Sequence, residues 1–219
     1  KVDDTDQIHK IFIADRKGNT TTLERKNNTW LYEGKYEVRQ NAMDNLMRAF
    51  GEMEMMFKPA ETAVPTMIKD LATQGIKVEL YDEAGENLKT FYVGGGTPDE
   101  AGTYMIMEGS EQPYVVGMPT WQGNLRARFS LRGDDWRDKS IFKHTVDEIQ
   151  TVAVEYPKQQ NKSFRLEKIA GGYEVRPFYD FSPKIDKSVK SGAVEAFLNG
   201  FKKVGAEAFE NKNPRRDSV

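Results

Sequence analysis

Leu23-Glu24-Arg25, followed by Trp30, recurs in this chain as Leu166-Glu167-Lys168, followed by Tyr173. The second stretch lies 143 positions after the first, counted either from Leu23 to Leu166 or from Trp30 to Tyr173. A constant offset between two similar stretches indicates an internal repeat. The sequence therefore predicts that one supersecondary unit is present twice.

Residues on either side of the two stretches follow the same pattern. Upstream, Ile8, Ile11 and Ile13 correspond to Ile149, Val152 and Val154. Downstream, apolar residues at helical spacing occur in both copies: Leu46, Phe50 and Met53 in the first, and Val194, Phe197, Leu198 and Phe201 in the second. Strand-like alternation followed by helical spacing predicts a β-β-β-α order for each copy.

Alternation and turn residues predict individual elements along the whole chain. In the first copy we expect strands at 8–14, 20–25 and 30–32, and helices at 40–55 and 65–74. The middle predicts two hairpins, with strands at 76–81, 88–93, 103–107 and 113–116, and a short helix at 120–131. In the second copy we expect strands at 149–156, 163–168 and 172–176, a helix at 189–204 and a frayed polar tail at 211–219.

These elements predict an α+β fold, in which antiparallel sheets carry helices on one face. We expect residues 1–75 to form the first copy with an extra helix, 76–145 a β-hairpin-rich insert with a short helix, and 146–219 the second copy and tail. A three-stranded unit with one helix buries little apolar surface by itself. The three segments are therefore expected to pack into one compact body, whether or not the two copies share one sheet.

Composition excludes several classes of binding partner. The chain has 219 residues, with 32 Lys and Arg against 34 Asp and Glu, and a net charge of −2. The two signs are interleaved, so no basic stripe is available for a phosphate backbone or for anionic lipid. We expect no nucleic-acid partner, and membrane attachment only through a segment absent from this chain, which begins at Lys1 rather than at Met.

The sequence contains no set of residues with the pattern of a catalytic, metal or cofactor site. Cysteine is absent, and the two histidines, His9 and His144, lie far apart, so thiolate chemistry and a histidine zinc site are not expected. Gly94-Gly95-Gly96 and Thr97 lack the Lys-Ser/Thr of a phosphate loop and read instead as a mobile hairpin loop. We predict a non-enzymatic protein with no cofactor.

Five residues are candidates for binding a protein partner. Trp136, Arg137 and Asp138 form the densest group of charge and aromatic surface, and Trp and Arg are the usual anchors of interfaces. The structural alternative packs Trp136 into the core while Arg137 and Asp138 hold a junction, and we favour it. Met55 and Met56 fit the helical stripe of the first copy least well, because adjacent residues cannot both face one core. Methionine surfaces adapt to varied partners, and the structural alternative, which we favour for the methionines of this region, is that they fill the core.

Three groups of residues, taken in order, carry a family resemblance. They are Ile8-x-x-Ile11-x-Ile13-x-Asp15 with Leu23 and Trp30; Val93-Gly94 with Gly102-Thr103-Tyr104-Met105; and Trp136-Arg137-Asp138-Lys139. Together they resemble the bacterial domain-of-unknown-function family 4340, which is common in Bacteroidota. The resemblance covers nearly the whole chain.

The resemblance implies a protein of the cell envelope that faces the periplasm or the cell surface, anchored in the membrane or by lipid in its full-length precursor. Some relatives look like auxiliary components of gliding-type ABC transporters. The family supplies no catalytic residues to transfer to this chain.

We therefore expect a non-enzymatic binding or assembly module of the cell envelope with a protein partner. The sequence specifies neither the identity of that partner nor the oligomeric state. The first alternative is a small-ligand protein that binds glycan or peptide in a pocket lined by tyrosines such as Tyr104 or Tyr114. The second is an uncharacterised hydrolase, which requires a buried carboxylate pair with shifted pKa values. A flat exposed patch of Trp and Met would favour the assembly module.

Overall fold

A computed structural model of the chain describes residues 1–182, 190, 192–202, 204–210 and 214. It contains two compact units, Lys1–Asp138 and Lys139–Val219. The predicted segment 1–75 and most of the predicted insert 76–145 lie together in the first unit. Packing of all three segments into one body stays a prediction.

The first unit contains nine strands and three helices. In chain order these are β1 (Lys10–Ala14), β2 (Thr20–Lys26), β3 (Thr29–Tyr32), β4 (Tyr36–Glu37), α1 (Gln40–Glu52), β5 (Glu54–Phe57), α2 (Val64–Gln74), β6 (Ile76–Tyr81), β7 (Asn87–Gly96), β8 (Thr103–Met107), β9 (Tyr114–Gly117) and α3 (Arg126–Phe129). No helix in the described part of the chain combines the length and the apolar character needed to span a membrane.

All nine strands form one antiparallel sheet in the order β4-β3-β2-β1-β6-β7-β8-β9-β5. Strand β1 joins its two halves, because it pairs with β2 on one side and with β6 on the other. Ile11 lies opposite Leu23 and Leu80 and is fully buried. The α+β class with antiparallel strands is thereby confirmed, and the first predicted copy shares its sheet with the insert.

The main core of this unit lies between α1, α3 and one face of the sheet. Three aromatic rings meet there, with centroid distances of 6.4 Å between Phe50 and Phe91, and 6.1 Å from Phe129 to each of the other two. The rings meet edge-to-face or tilted, the geometry that favours aromatic pairs. Trp136 is buried in the same cluster.

Helix α2 lies against the opposite face, so the helices of this unit do not all cover one side as the sequence predicted. Along a strand, alternate side chains point to opposite faces. Leu71 of α2 packs over Gly94, where an added Cβ would lie 3.0 Å from the Leu71 Cδ2 atom, and Leu71 shares a cleft with Tyr92. Phe91 and Val93 face the main core. The missing side chain of Gly94 lets α2 approach the sheet.

Three local features differ from the sequence prediction. The helix predicted at 40–55 ends at Glu52, and the next residues form β5 because β9 supplies backbone partners at Gly117, Val116 and Val115. The helix predicted at 120–131 shortens to the four residues of α3. Gly94–Gly96 belong to β7 rather than to a mobile hairpin loop.

The second unit has a three-stranded antiparallel sheet and a helix. Its elements are β10 (Thr151–Val154), β11 (Phe164–Ile169), β12 (Gly172–Pro177) and α4 (Ala193–Asn199), and the sheet order is β10-β11-β12. Leu166 and Leu198 are buried in its core, with Val194. The helix predicted at 189–204 is present over α4, and its positions 189, 191 and 203 lie outside the described residues, as does most of the predicted tail.

Residues that the sequence places in correspondence occupy corresponding positions in the two sheets. Ile11 pairs with Leu23 as Val152 pairs with Leu166, and Arg25 pairs with Trp30 as Lys168 pairs with Tyr173. The backbone N–H of Arg25 donates to His9 O at 2.8 Å, and that of Lys168 donates to Gln150 O at 2.8 Å. These parallels agree with two β-β-β-α copies. The duplication itself stays a prediction.

Replacing Phe50 tests the aromatic core of the first unit. Phe50→Ala is expected to lower the free energy of unfolding by about 3–5 kcal/mol, because a fully buried ring is lost and a cavity remains. Phe57→Ala is the matched control, and it should cost less than about 1 kcal/mol because Phe57 is 52% exposed.

Urea unfolding followed by tryptophan fluorescence measures this effect. All three tryptophans, Trp30, Trp121 and Trp136, lie in the first unit, so the signal reports on that unit alone. Equal midpoints for the two variants would contradict the described core.

Candidate functional site

Strand β5 ends the nine-stranded sheet and is exposed along its whole length. Met55, Met56 and Phe57 are 62%, 50% and 52% exposed. Among the residues that the structure describes, no strand pairs with the outer edge of β5. An edge strand presents unpaired backbone N–H and C=O groups, and natural proteins usually protect such edges with charges, proline or a covering segment. The apolar, uncovered edge of β5 therefore requires an explanation.

The two faces of β5 lie beside two different clefts. Met55 pairs with Val116 and Glu54 with Gly117, and directly opposite residues in a sheet point to the same face. Met55 and Glu54 therefore point to opposite faces. The register shifts between Met55 and Phe57, which leaves Met56 in a β-bulge. Bulges re-aim side chains and are frequent at sheet edges.

The Met55 cleft, named for the residue at its mouth, is small and apolar. It has a volume of about 160 Å³. Its apolar walls include Met53, Phe91, Met105, Tyr114 and Val116, and its charged lining residues are Lys1, Lys89 and Glu54. A cavity of roughly 150 Å³ accepts a benzene-sized group. The cleft is therefore large enough for one apolar side chain.

The Trp121 cleft, on the other side of β5, is larger and acidic. It has a volume of about 680 Å³. Its lining includes Glu54, Met56, Asp99, Glu100 and Trp121. The indole of Trp121 is 49% exposed. An aromatic face beside three carboxylates is a surface suited to organic cations.

Glycine residues make room for Met56 over this cleft. An added Cβ at Gly117 would lie 2.5 Å from the Met56 Sδ atom, and one at Gly102 would lie 3.4 Å from it. Any larger residue at Gly117 would push the thioether away from the sheet. The glycines therefore let an unbranched, adaptable side chain lie close to the backbone at the end of the sheet.

A hydrogen-bonded group links Trp121 to the end of α1. Arg48 donates to Glu52 at 2.9 Å and to Thr120 Oγ1 at 2.7 Å, and Thr120 Oγ1 donates to the Glu52 carboxylate. These hydrogen bonds, first that from Thr120, lower the pKa of Glu52 below its ordinary value. The Arg128 guanidinium lies 5.1 Å from the centre of the Trp121 ring. The hydrogen bonds hold Thr120, the residue before Trp121, against the end of α1.

The acidic wall of the Trp121 cleft is a tight turn between β7 and β8. Thr97 Oγ1 and the backbone N–H of Ala101 donate to Asp99, and the bond from Thr97 contributes most to lowering the pKa of Asp99. Asn124 donates to Glu100 at 2.6 Å. Both carboxylates are thus held in place on one side of the cleft, and Asp99 stays charged at neutral pH.

Trp136, Arg137 and Asp138 lie elsewhere and make structural contacts. Trp136 is fully buried and its Nε1–H donates to Leu131 O at 2.9 Å, so it does not offer the exposed anchor that partner binding would need. Arg137 stacks over Tyr36 at 3.9 Å and donates to Asp134 at 2.7 Å, and the Asp138 N–H donates to Glu37 O. Burial of Trp136 agrees with the structural alternative, and the junction expected of Arg137 and Asp138 stays a prediction. Partner binding through Arg137 and Asp138 stays a prediction.

The side chain of Arg126 binds the backbone at the glycine segment of β7. Its guanidinium donates to the backbone oxygens of Val93, Gly94 and Gln74 at 2.7 to 2.9 Å. These bonds tie the end of α2 to β7. The segment therefore has a structural partner and does not form a phosphate loop.

The sequence pattern predicts Met55 and Met56 as candidate binding residues, but it does not predict that Trp121 or the acidic turn lies near them. The helix predicted at 120–131 would place Trp121, Leu125 and Phe129 on one face at four-residue spacing, but only Leu125 and Phe129 are buried. The exposure of Trp121 follows from the isolated bridge between Trp121 and Met118, which replaces the first turn of the predicted helix. Met56 and Trp121, each about half exposed, lie together in this cleft.

Acid-base and metal chemistry find little support in the described residues. No group of three His, Cys, Asp or Glu there is arranged to hold a metal ion. Burial raises a carboxyl pKa, yet hydrogen bonds leave the pKa of each shifted carboxyl group below its ordinary value in this part of the chain: Asp15, Glu52, Glu79, Asp99 and Glu148. These groups are ionised at neutral pH.

A scan against protein-family models matches residues 60–218 to the family described as Domain of unknown function (DUF4340). The match leaves out β1–β5 and α1 and includes the acidic turn and Trp121. No curated protein matches the chain. No solved structure matches it either.

Removing the Thr120 hydroxyl tests the hydrogen bonds that hold Thr120. The pKa of Glu52 is lowered in the folded protein, so the ionised carboxylate stabilises the fold. This stabilisation is complete above the ordinary pKa of 4.5 and is lost as the pH falls through the lower pKa of the folded protein. Thr120→Val should raise the pKa of Glu52 towards 4.5. The control Thr66→Val, on α2, should leave it unchanged.

Carboxyl-detected NMR titration measures the pKa of Glu52, and the Trp121 indole resonance should change over the same pH interval. A Glu52 pKa that is the same in both variants would show that Thr120 does not stabilise the carboxylate.

Proposed function

The chain belongs to the family described as Domain of unknown function (DUF4340), and from this premise we propose that it is a non-enzymatic binding module of the cell envelope. It faces the periplasm or the cell surface and acts in the assembly of a membrane complex, with an ABC transporter as the favoured one. Its partner contributes an extended segment that pairs with the outer edge of β5.

The observation that carries this proposal is the exposed apolar edge of β5. Addition of a strand to a free edge uses main-chain hydrogen bonds for affinity and flanking pockets for specificity. Both features are available at β5, because Met55 lines the smaller cleft, Met56 lines the Trp121 cleft, and Glu54 lines both. Burial of Met55, Met56 and Phe57, which are at least half exposed, would add favourable apolar contact.

A small-ligand protein is the second candidate, and the Trp121 cleft favours it. A volume of about 680 Å³ falls within the range of small-molecule sites. The tyrosine-lined pocket expected for a glycan is not supported in the described residues, since Tyr114 lines the smaller Met55 cleft and the Trp121 cleft is lined by no tyrosine. We therefore rank partner binding first.

Site-specific cross-linking tests the proposal. The chain has no cysteine, so Met55→Cys creates a single attachment point for a photo-activated cross-linker. Thr20→Cys is the matched control, because Thr20 is exposed on the interior strand β2. When the labelled full chain is added to a solubilised envelope fraction of the native host, we expect Met55→Cys to cross-link to one transporter subunit, identified by mass spectrometry, and Thr20→Cys to yield none.

Competition with unlabelled protein shows whether the Met55→Cys cross-link depends on the outer edge of β5. Unlabelled wild-type protein should reduce the cross-link at least fivefold, whereas unlabelled Met55→Lys should not, because a lysine on an edge strand opposes strand pairing. Equal products from Met55→Cys and Thr20→Cys, or recovery of the endogenous protein from the cytosol, would overturn the proposed function.

A further inference from the structure

We propose that the β5 edge selects an extended partner segment in which lysine or arginine alternates with apolar side chains. This inference rests on the proposed function and specifies the chemistry of the partner. It follows from the different character of the two clefts that β5 separates.

The pleat of a sheet determines where the side chains of an added strand point. Successive residues of a strand face opposite sides. A segment paired with the outer edge of β5 therefore directs alternate side chains to the face of Met55 and to the face of Glu54. The first set meets the Met55 cleft, and the second set meets the Trp121 cleft.

The Met55 cleft accepts an apolar side chain and disfavours a cation. Met53, Phe91 and Met105, which line it, are each at least 95% buried. Its charged rim includes Lys89, whose ammonium donates to Lys1 O at 2.6 Å. Glu54 also lines this cleft, so its charged groups are two lysines and one carboxylate. A basic partner residue on this face would meet both lysines and an apolar wall, which is less favourable than a cleft lined by carboxylates alone.

The Trp121 cleft has the opposite preference. Glu54, Asp99 and Glu100 contribute three carboxylates to its lining. Among the residues that the structure describes, no Lys, Arg or His lines it. A long basic side chain can extend its alkyl part along Met56 and Trp121 while its charged group approaches the carboxylates.

An organic cation fits this cleft better than a metal ion does. The three carboxylates are not grouped as metal ligands, since no set of three acidic or histidine side chains in the described part of the chain is close enough. Asp99 and Glu100 are each held by hydrogen bonds, from Thr97 and Asn124. Carboxylates spread along a cleft and fixed at separate positions suit a mobile, multi-donor side chain.

Three synthetic peptides of equal length test the inference with the full chain. The first alternates lysine with leucine, the second alternates glutamate with leucine, and the third has the composition of the first with lysines and leucines in two blocks. Fluorescence anisotropy measures the Kd of each. We expect the first peptide to bind about tenfold more tightly than the other two at low salt, and its advantage over the second to shrink in 0.5 M salt.

Variants that remove one carboxylate test whether the preference for lysine arises at the Trp121 cleft. Glu100→Gln removes a carboxylate that lines the Trp121 cleft and not the Met55 cleft. It should weaken binding of the lysine-leucine peptide about threefold and leave binding of the glutamate-leucine peptide unchanged or slightly tighter. Glu86→Gln is the matched control, because it makes the same change in net charge at an exposed position in the turn between β6 and β7. It should change neither Kd.

The outcomes separate the two proposals. If peptides bind and Met55→Lys abolishes binding, but lysine and glutamate peptides bind equally, the charge preference is wrong and edge binding stands. If lysine-containing peptides bind equally in alternating and blocked order, the pleat-directed alternation is wrong. If no peptide binds, or if Met55→Lys changes no Kd, binding at the β5 edge is itself overturned.

Discussion

The antiparallel pairing of β1 with β6 is the contact on which the rest of the first unit depends. It joins the meander β1–β4 to the hairpins β6–β9, although more than sixty residues separate the two strands in sequence. Ile11 and Ile13 are opposite Leu80 and Val78, and all four are buried. Forming this pair closes a long loop, and the loss of conformational entropy opposes folding. Apolar burial in the core of α1, β1 and β6 offsets that loss, since Leu46 and Phe50 pack against the buried side chains of β1 and β6.

Once this pair exists, the ends of the sheet are determined. The meander extends away from β1 to β4, and the hairpins extend the other way to β9. The chain between α1 and α2 then lies beside β9 and adds β5 as the last strand. An open sheet must have two edges, and strand β4 is only two residues long, which is one way in which proteins protect an edge. Strand β5 is four residues long and carries a β-bulge, which also protects an edge. Its apolar residues nevertheless remain exposed between the two clefts. The candidate site is therefore a consequence of sheet topology, and neither β5 nor the acidic turn would form it alone.

The second unit shows which features of a sheet a local sequence pattern specifies. Its three strands reproduce the register of β1–β3 at the positions that the sequence places in correspondence, including the pairs Ile11–Leu23 and Val152–Leu166. In the first unit the other side of β1 is filled by β6, whereas β10 is the end of its sheet in the described residues. The same local pattern is thus compatible with a strand in the middle of a sheet and with a strand at its end, because the pattern specifies which face is apolar and not how many neighbours a strand has.

The sequence by itself determined the α+β class, most strands and the absence of cysteine chemistry, and it indicated helices at 40–55 and 65–74, the first of which ends at Glu52. These follow from period and composition, which are local and can be read residue by residue. It also indicated that Met55 and Met56 do not belong to the helical stripe. The tertiary structure alone decided that these methionines form an edge strand, that Trp121 is exposed beside them, that Trp136 is buried, and that the acidic turn faces the same cleft. Each of these depends on pairing between residues distant in the chain, such as Glu54 with Gly117, and a local pattern does not specify long-range pairing because many partners satisfy the same alternation.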